Sequence, residues 1–399
     1  MVPSLRAAFN DAFTPAKYEA FLMDLDSRHP GAIEFRLAET PVFVPASFAN
    51  QLTDACEYII DTITDPGFKQ LTERAIPESD RVAGENGHSH FLAFDFGVCI
   101  DENGGLQPKL IELQGFASLY GFQVSYPDIY RQHFSIPDNY SQYLSGFDKE
   151  SYLAALRKTI VGSFSPEEVV LLELRPHEQK TRIDFYCTHD YLGIPIVDLL
   201  ELIQEGEKLY YINAVTGKKT RIRRIYNRVI FDELNAAGIA PGSYVDIRAE
   251  LDVEWVAHPN WFYRISKFLL PYLHHPCVPP SFFLNEIKQP PADLENYVLK
   301  PLFSFAGQGV VIDVTHKDLE KIADPGNWIL QRKVTYADLI PTPDVPAKVE
   351  IRLLYLWADG EARPTLAINL ARLSKGKMIG VRYNKDKEWV GGSVCYFEK

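Results

Sequence analysis

Residues 298–314, VLKPLFSFAGQGVVIDV, gather the side chains best suited to chemistry. An apolar run delivers Lys300, a loop with Gly307, Gln308 and Gly309 follows, and a second apolar run closes the segment. Glycines in such a turn let backbone N–H groups approach phosphate oxygens, and the lysine adds a compact positive charge beside them. Neither GxxxxGK[ST] nor a helix-opening GxGxxG is present, so this is no Walker loop or dinucleotide fingerprint. Read alone, the segment is equally an ordinary glycine-bearing hairpin. A second lysine, Lys267, stands 33 positions earlier in NWFYRISKFLLPYL, and the apolar strand WILQRKV, with Gln331 and Val334, follows Lys300.

Other polar residues interrupt apolar strands. FLAFDFGVCI at 91–100, an ENGG turn and PKLIELQ at 108–114 read as a β-hairpin. Alternation puts Leu110, Glu112 and Gln114 on one face and sends Ile111 and Leu113 inward. Ser118 follows in a turn, RIRRIYNRVIFDEL carries Arg228, and EIRLLYLW and TLAINLARL carry Glu350 and Arg372. Taken singly, a strand-face glutamate is usually solvated, such arginines usually form surface ion pairs, and a lysine among apolar neighbours usually snorkels. His88 and His90 have no third ligand nearby and read as loop residues.

The positioning elements follow from periodicity. Residues 1–85 read as helical, with 149–161 a further helix. The run EVVLLEL, a helix near 178–192 and a strand near 194–197 suggest a small α/β unit at 166–250 with parallel strands buried on both faces. Residues 207–232 read as a hairpin turning at TGK, then a strand; a helix is expected around 266–273. The last third alternates strands and loops. The expected division is 1–85, 86–165, 166–250 and 251–399, in an α/β (α+β) chain.

Composition limits the partners. The 399 residues include 41 basic and 53 acidic side chains, a formal charge of −12, so nucleic acid and anionic membranes are not expected partners. A polyanionic ligand must be held by a local cluster of cations and N–H groups. The five cysteines, Cys56, Cys99, Cys187, Cys277 and Cys395, include no CxxC, which suits free thiols and a cytoplasmic setting. No apolar stretch reaches the ~20 residues needed to span a bilayer, and no leader is expected.

The order Lys267, Lys300, glycine loop and WILQRKV resembles the nucleotide site of the ATP-grasp superfamily. PKLIELQGFASLYG resembles the Glu-x-Asn strand and serine turn of eukaryotic-type glutathione synthetase, and 350–393 resembles its closing stretch. The acidic strand precedes the lysines, as in the circularly permuted ATP-grasp fold of those ligases and of glutathionylspermidine synthase-like enzymes. The likeness spans roughly residues 88–399, and residues 1–85 match nothing in it.

That resemblance implies a permuted ATP-grasp body around an inserted substrate domain, with ATP and Mg²⁺ as cofactors. Lys267 and Lys300 would reach phosphates, the 307–309 loop would cover them, and Gln331 and Val334 would lie against adenine. Glu112 and Gln114 would ligate Mg²⁺, though Gln stands where the family has Asn. Leu302, Phe303 and Ser304 occupy the loop that carries a family acid, leaving Glu350 or Asp95 to supply a ligand. Arg228 and Arg372 would hold a substrate carboxylate or acyl phosphate, with Ser118 near the substrate. The implied activity is ATP-dependent carboxylate–amine ligation through an acyl phosphate, with a small-molecule acid and amine as partners. A phosphotransferase, a degenerate nucleotide binder and a homodimer are left open.

Overall fold

The computed structural model describes residues 2–240, 242–303, 309–376, 379 and 384–399. A five-stranded antiparallel sheet forms its centre, in the order Gly391–Ser393, Thr365–Ser374, Lys348–Leu356, Phe91–Ile100, Leu106–Gln114. The strands beside the hairpin therefore come from the far end of the sequence. One face is apolar throughout: Phe94, Phe96, Val98, Leu110, Leu113, Val349, Ile351 and Leu353 share a core with the helix Ala46–Thr64. That helix buries Phe48, Leu52, Ala55, Cys56, Ile59, Ile60 and Ile63, a stripe at helical spacing.

The opposite face changes character along its length. Phe91, Ala93, Leu354, Leu356 and Ile368 join a second core with Lys149–Ile160, a helix closed by a capping box between Asp148 and Ser151. Beyond them the same face carries Asp95, Glu350, Arg352 and Arg372. The hairpin departs from strict alternation. A register shift at Asp95/Phe96 sets Glu112 opposite Asp95 and Leu110 opposite Phe96, so Ile111 is skipped. Leu110 and Leu113 are therefore fully buried while Ile111 is half-buried, reversing the expected places of Leu110 and Ile111. One extra residue in one strand bends it and frees a backbone group.

A four-stranded parallel sheet is ordered Glu254–Val256, Arg224–Asn227, Val169–Glu173, Ile196–Asp198, its first strand lying beyond residue 250. Its two central strands are buried throughout; Val169–Glu173 shows this as an apolar run, whereas Arg224–Asn227 carries polar residues at both ends. An outer antiparallel sheet, ordered Ser281–Phe283, Trp328–Arg332, Tyr297–Pro301, Val311–Ile312, packs one face on a small core of Leu294, Leu299, Val314 and Leu330. Residues 266–273 contain a 3-10 turn, Lys267–Tyr272, rather than an α-helix, with Pro271 inside it.

The first 85 residues contain the helices Pro3–Ala12, Pro15–Asp26 and Ala46–Thr64 and one unanticipated strand, Val42–Val44. That strand pairs in parallel with Cys395–Glu398, joining the two ends of the sequence in one sheet. Such pairing between distant segments leaves no periodicity signal.

Candidate functional site

Antiparallel register assembles the charged face. Asp95 lies between Glu112 and Arg352 on neighbouring strands, and Glu350 lies between Gly97 and Arg372. Side chains directly opposite in such a sheet are neighbours on one face. Arg352 forks onto Asp95, Nε to Oδ1 at 2.5 Å and a terminal nitrogen to Oδ2 at 2.6 Å. Arg372 donates to the same Oδ2 at 2.8 Å and also to Glu350 Oε1. The Tyr336 hydroxyl donates to Glu350 Oε2 at 3.3 Å, and Arg352 donates to Ser118 Oγ at 3.3 Å. A hydrogen-bonded chain thus runs Ser118–Arg352–Asp95–Arg372–Glu350–Tyr336.

Burial makes this chain electrostatically demanding. Asp95 is 1% exposed and Glu350 3%. Burial pushes the Asp95 carboxyl up, but Arg352 and Arg372 outweigh it and hold it below the usual carboxylate range. Burial raises the Glu350 carboxyl above its ordinary value despite Arg372. The Arg372 guanidinium is raised: burial opposes its charge, and Glu350 and Asp95 more than compensate.

Two lysines meet the edge of this face. Gly115 donates its N–H to Ile265 O at 2.8 Å, and a Cβ at 115 would stand 2.6 Å from Trp261 O. Only glycine lets the 261–265 backbone lie so close to the end of the Glu112 strand. Lys267 follows directly, with Nζ 3.8 Å from Glu112 Oε1. Burial lowers its ammonium pKa, and Glu112 works against that. From the outer sheet, Lys300 Nζ donates to Gln331 Oε1 at 2.5 Å and to Ile111 O at 3.2 Å. Ile111 is the residue that the register shift skips. Burial pulls Lys300 down to about 8. Glu112 acts electrostatically on Lys267, Lys300, Arg352 and Arg372 together.

The structure brings Lys267, Lys300, Gln331, Glu112, Glu350 and Arg372 to one junction, and ties Ser118 to it through Arg352. Arg228 follows the carboxyl end of the parallel strand Arg224–Asn227, beside the turn that carries Ser118. It is buried between the Phe116 and Phe185 rings, donates to Ala117 O and lies 3.8 Å from Asp184. Val334 lies past the end of Trp328–Arg332 and is half-buried. Gly309 takes φ +70°, a conformation that suits glycine, beside Pro301. Gly307 and Gln308 lie outside the described residues.

Sequence reasoning missed Arg352 and Tyr336. Arg352 was findable, because it stands two positions from Glu350 on the same strand and so shares its face. Tyr336 carried no signal. His88 and His90 are structural: His88 stacks on Trp357 at 4.1 Å, and His90 bonds Asp359 at 2.9 Å.

Among the described residues, the free donor set fits one Mg²⁺. Asp95 and Glu350, the expected substitutes for the missing loop acid, have their carboxylates taken up by guanidiniums. Glu112 and Gln114 remain, two positions apart on one strand and both half-buried, offering one carboxylate and one amide oxygen. Mg²⁺ keeps several waters and accepts one or two protein oxygens beside phosphate oxygens, so this pair fits it. Among the described residues no three His, Cys, Asp or Glu side chains cluster as a cage.

No family model and no curated protein matches the chain. A solved structure does. The apo form of a glutathione synthetase-like effector from Globodera pallida aligns with a TM-score of 0.59 over 98% of each chain, at 12% identity. The fold is glutathione synthetase-like. At that identity the likeness speaks for the fold alone. All five cysteines are free, and among the described residues no helix is long and apolar enough to cross a membrane.

Proposed function

We propose that the protein is an ATP- and Mg²⁺-dependent carboxylate–amine ligase built on a permuted ATP-grasp body. The observation that carries this reading is the convergence of Lys267, Lys300, Gln331 and Glu112, from four separate segments, on one junction. A substrate carboxylate attacks the γ-phosphate in line, giving an acyl phosphate and ADP, and an amine then displaces phosphate to form an amide. The protein's part is positioning and charge neutralisation. Lys267 and Lys300 hold phosphate oxygens. Arg372, fixed by Asp95 and Glu350, directs its remaining donors at the carboxylate or the developing acyl phosphate. Arg228 orders the Ala117–Ser118 turn where the acid docks. Glu112 and Gln114 would hold Mg²⁺, which offsets charge on the phosphates. The partners are a small-molecule acid and amine in the cytoplasm.

A second reading is a nucleotide binder without turnover. It is favoured by the short donor set, since Asp95 and Glu350 are engaged by arginines, and by a structural neighbour described as an effector. An ADP-release screen with Mg²⁺ across carboxylates crossed with amines separates these. ADP release that needs both an acid and an amine supports the ligase. Release with the acid alone and a stable phosphorylated product indicates a phosphotransferase. ATP binding with no ADP indicates the binder, and absence of ATP binding removes all three.

A further inference from the structure

Arg6 lies in the helix Pro3–Ala12 and is 6% exposed, although that helix buries only Arg6 and Phe9. Its guanidinium stands 4.7 Å from the Phe9 ring centroid and 5.7 Å from that of Phe43, beside a core that also holds Tyr130 and Phe134. Nη1 donates to Pro41 O at 2.9 Å, whereas Nε and Nη2 are buried without a hydrogen-bond partner. Among the described residues no carboxylate stands within ion-pair distance of this guanidinium. Glu39, two positions before Pro41, is taken up by Arg36 and by the Trp389 N–H. Burial pulls Arg6 down to about 10, which leaves it charged at neutral pH.

The unanswered edge is the one that recognises carboxylates. Nε and one terminal nitrogen of a guanidinium donate in parallel, and Arg352 uses its Nε and Nη2 in that way on the two oxygens of Asp95. In Arg6 the same two atoms have no acceptor. A buried charge is costly unless it is paired, and buried donors in folded proteins are nearly always answered. One turn along the same helix face, Asn10 repeats the pattern: its Nδ2 donates to Pro341 O at 3.1 Å, while its Oδ1 is buried without a partner. A water would answer the donors but supplies no counter-charge. A single guanidinium among aromatic rings balances one negative charge, which favours a monoanion over phosphate or sulfate. Two parallel donors favour a coplanar pair of oxygens.

We propose that the helix Pro3–Ala12 closes over a small monocarboxylate held by the Nε–Nη2 edge of Arg6. The site shares no residue with the junction described above and does not depend on the nucleotide reading. Closure by this helix accounts for how a buried edge takes up a guest. With Arg6 and Phe9 as its only buried residues and no side-chain cap at Val2, the helix has few contacts to lose when it lifts.

The test is a nuclear magnetic resonance titration of the full chain, carrying isotope-labelled arginine, with sodium acetate and with sodium chloride at matched ionic strength. Arg6→Lys keeps a charge but removes the fork, and the Nε resonance missing from its spectrum is that of Arg6. Arg6→Met removes the charge as well and makes the same assignment if the lysine variant does not fold. Acetate is expected to move the Arg6 resonance saturably, with a half-saturating concentration at least about tenfold below that of chloride. Acetate should also raise the unfolding midpoint of the wild type, and this rise should shrink in both variants. A resonance that acetate leaves unmoved overturns the inference, because water then completes the edge. Equal movement by chloride overturns it too, since the fork would not select a carboxylate. A resonance that shifts with protein concentration rather than with acetate would assign the acceptor to a second copy of the chain and overturn it as well.

Discussion

The central sheet and the outer sheet both bring buried polar groups to the same junction, but they leave them in different states. On the central sheet, Asp95, Arg352, Arg372 and Glu350 pair with one another, with Ser118 and Tyr336 closing the ends and Arg372 Nε the one donor of these four left buried without a partner among the described residues. On the outer sheet, Lys300 carries an ammonium whose pKa burial has lowered, and Gln331 holds a donor with no acceptor among the described residues. A network whose charged groups are paired with one another fixes geometry before any ligand arrives, and removing one member strands the others. A group left unsatisfied weakens the empty fold and becomes favourable only when a ligand answers it. The first pattern marks a frame and the second a binding surface.

This contrast can be broken by substitution. Asp95→Ala leaves Arg352 buried without its fork and should cost about 3–5 kcal/mol of unfolding free energy in chemical denaturation. Lys300→Met removes a half-buried cation that has no carboxylate partner within ion-pair distance among the described residues, so its unfolding free energy should stay within about 1 kcal/mol of wild type or rise. Comparable losses in both variants would show that the two sheets do not differ in this way. Lys300→Ala should instead lower turnover, or ADP release in the screen above, by about 10²–10³, the usual cost of one preorganised donor. Unchanged ATP consumption in that variant would sink the assignment of Lys300 to phosphate.

Much of the outer sheet and the hairpin was legible in the sequence, and the reason is local. Apolar alternation and turn residues placed strands at 91–100, 108–114, 297–302, 328–334, 350–357 and 365–373, each within two residues of where the strands lie. Lys300, Gln331 and Glu112 stood out because each interrupts an apolar strand. The bulge at Ile111 was not legible, since skipping one residue is decided by what packs across the strand, here Phe94 and Phe96 against Leu113 and Leu110. The Asp95–Arg352 fork depends on the register between strands some 250 positions apart, which no short-range pattern encodes. Arg228, just past the parallel strand Arg224–Asn227, is held by Asp184 and Ala117, two partners that only the tertiary fold brings to it.

The lysine's depressed pKa sharpens the comparison through pH. With Lys300 near 8 in the free protein, its charge is present at pH 7 and lost above pH 8. Above that pH, binding of ATP to the ammonium form is coupled to protonation of the Lys300 amine, so ATP affinity should fall by up to about tenfold per unit as pH rises above 8. In Lys300→Arg the guanidinium stays charged throughout, and calorimetry at pH 7, 8 and 9 should show a flat profile. A wild-type profile as flat as that of the arginine variant would mean that Lys300 carries no ligand charge.

The smallest expected effect lies at the seam between the two sheets. Tyr336 follows the Trp328–Arg332 strand, yet its hydroxyl donates to Glu350 on the central sheet at 3.3 Å. It is the last link of the hydrogen-bonded chain and the one that reaches toward the outer sheet. Tyr336→Phe keeps the ring and removes one donor from a buried carboxylate, which should cost about 1 kcal/mol in unfolding free energy. Glu350 still receives Arg372, so the rest of the frame should hold. If Tyr336 also sets how the outer sheet meets the frame, the same variant should weaken tripolyphosphate binding beyond what that stability loss explains. A change in stability with no change in binding would confine Tyr336 to the frame.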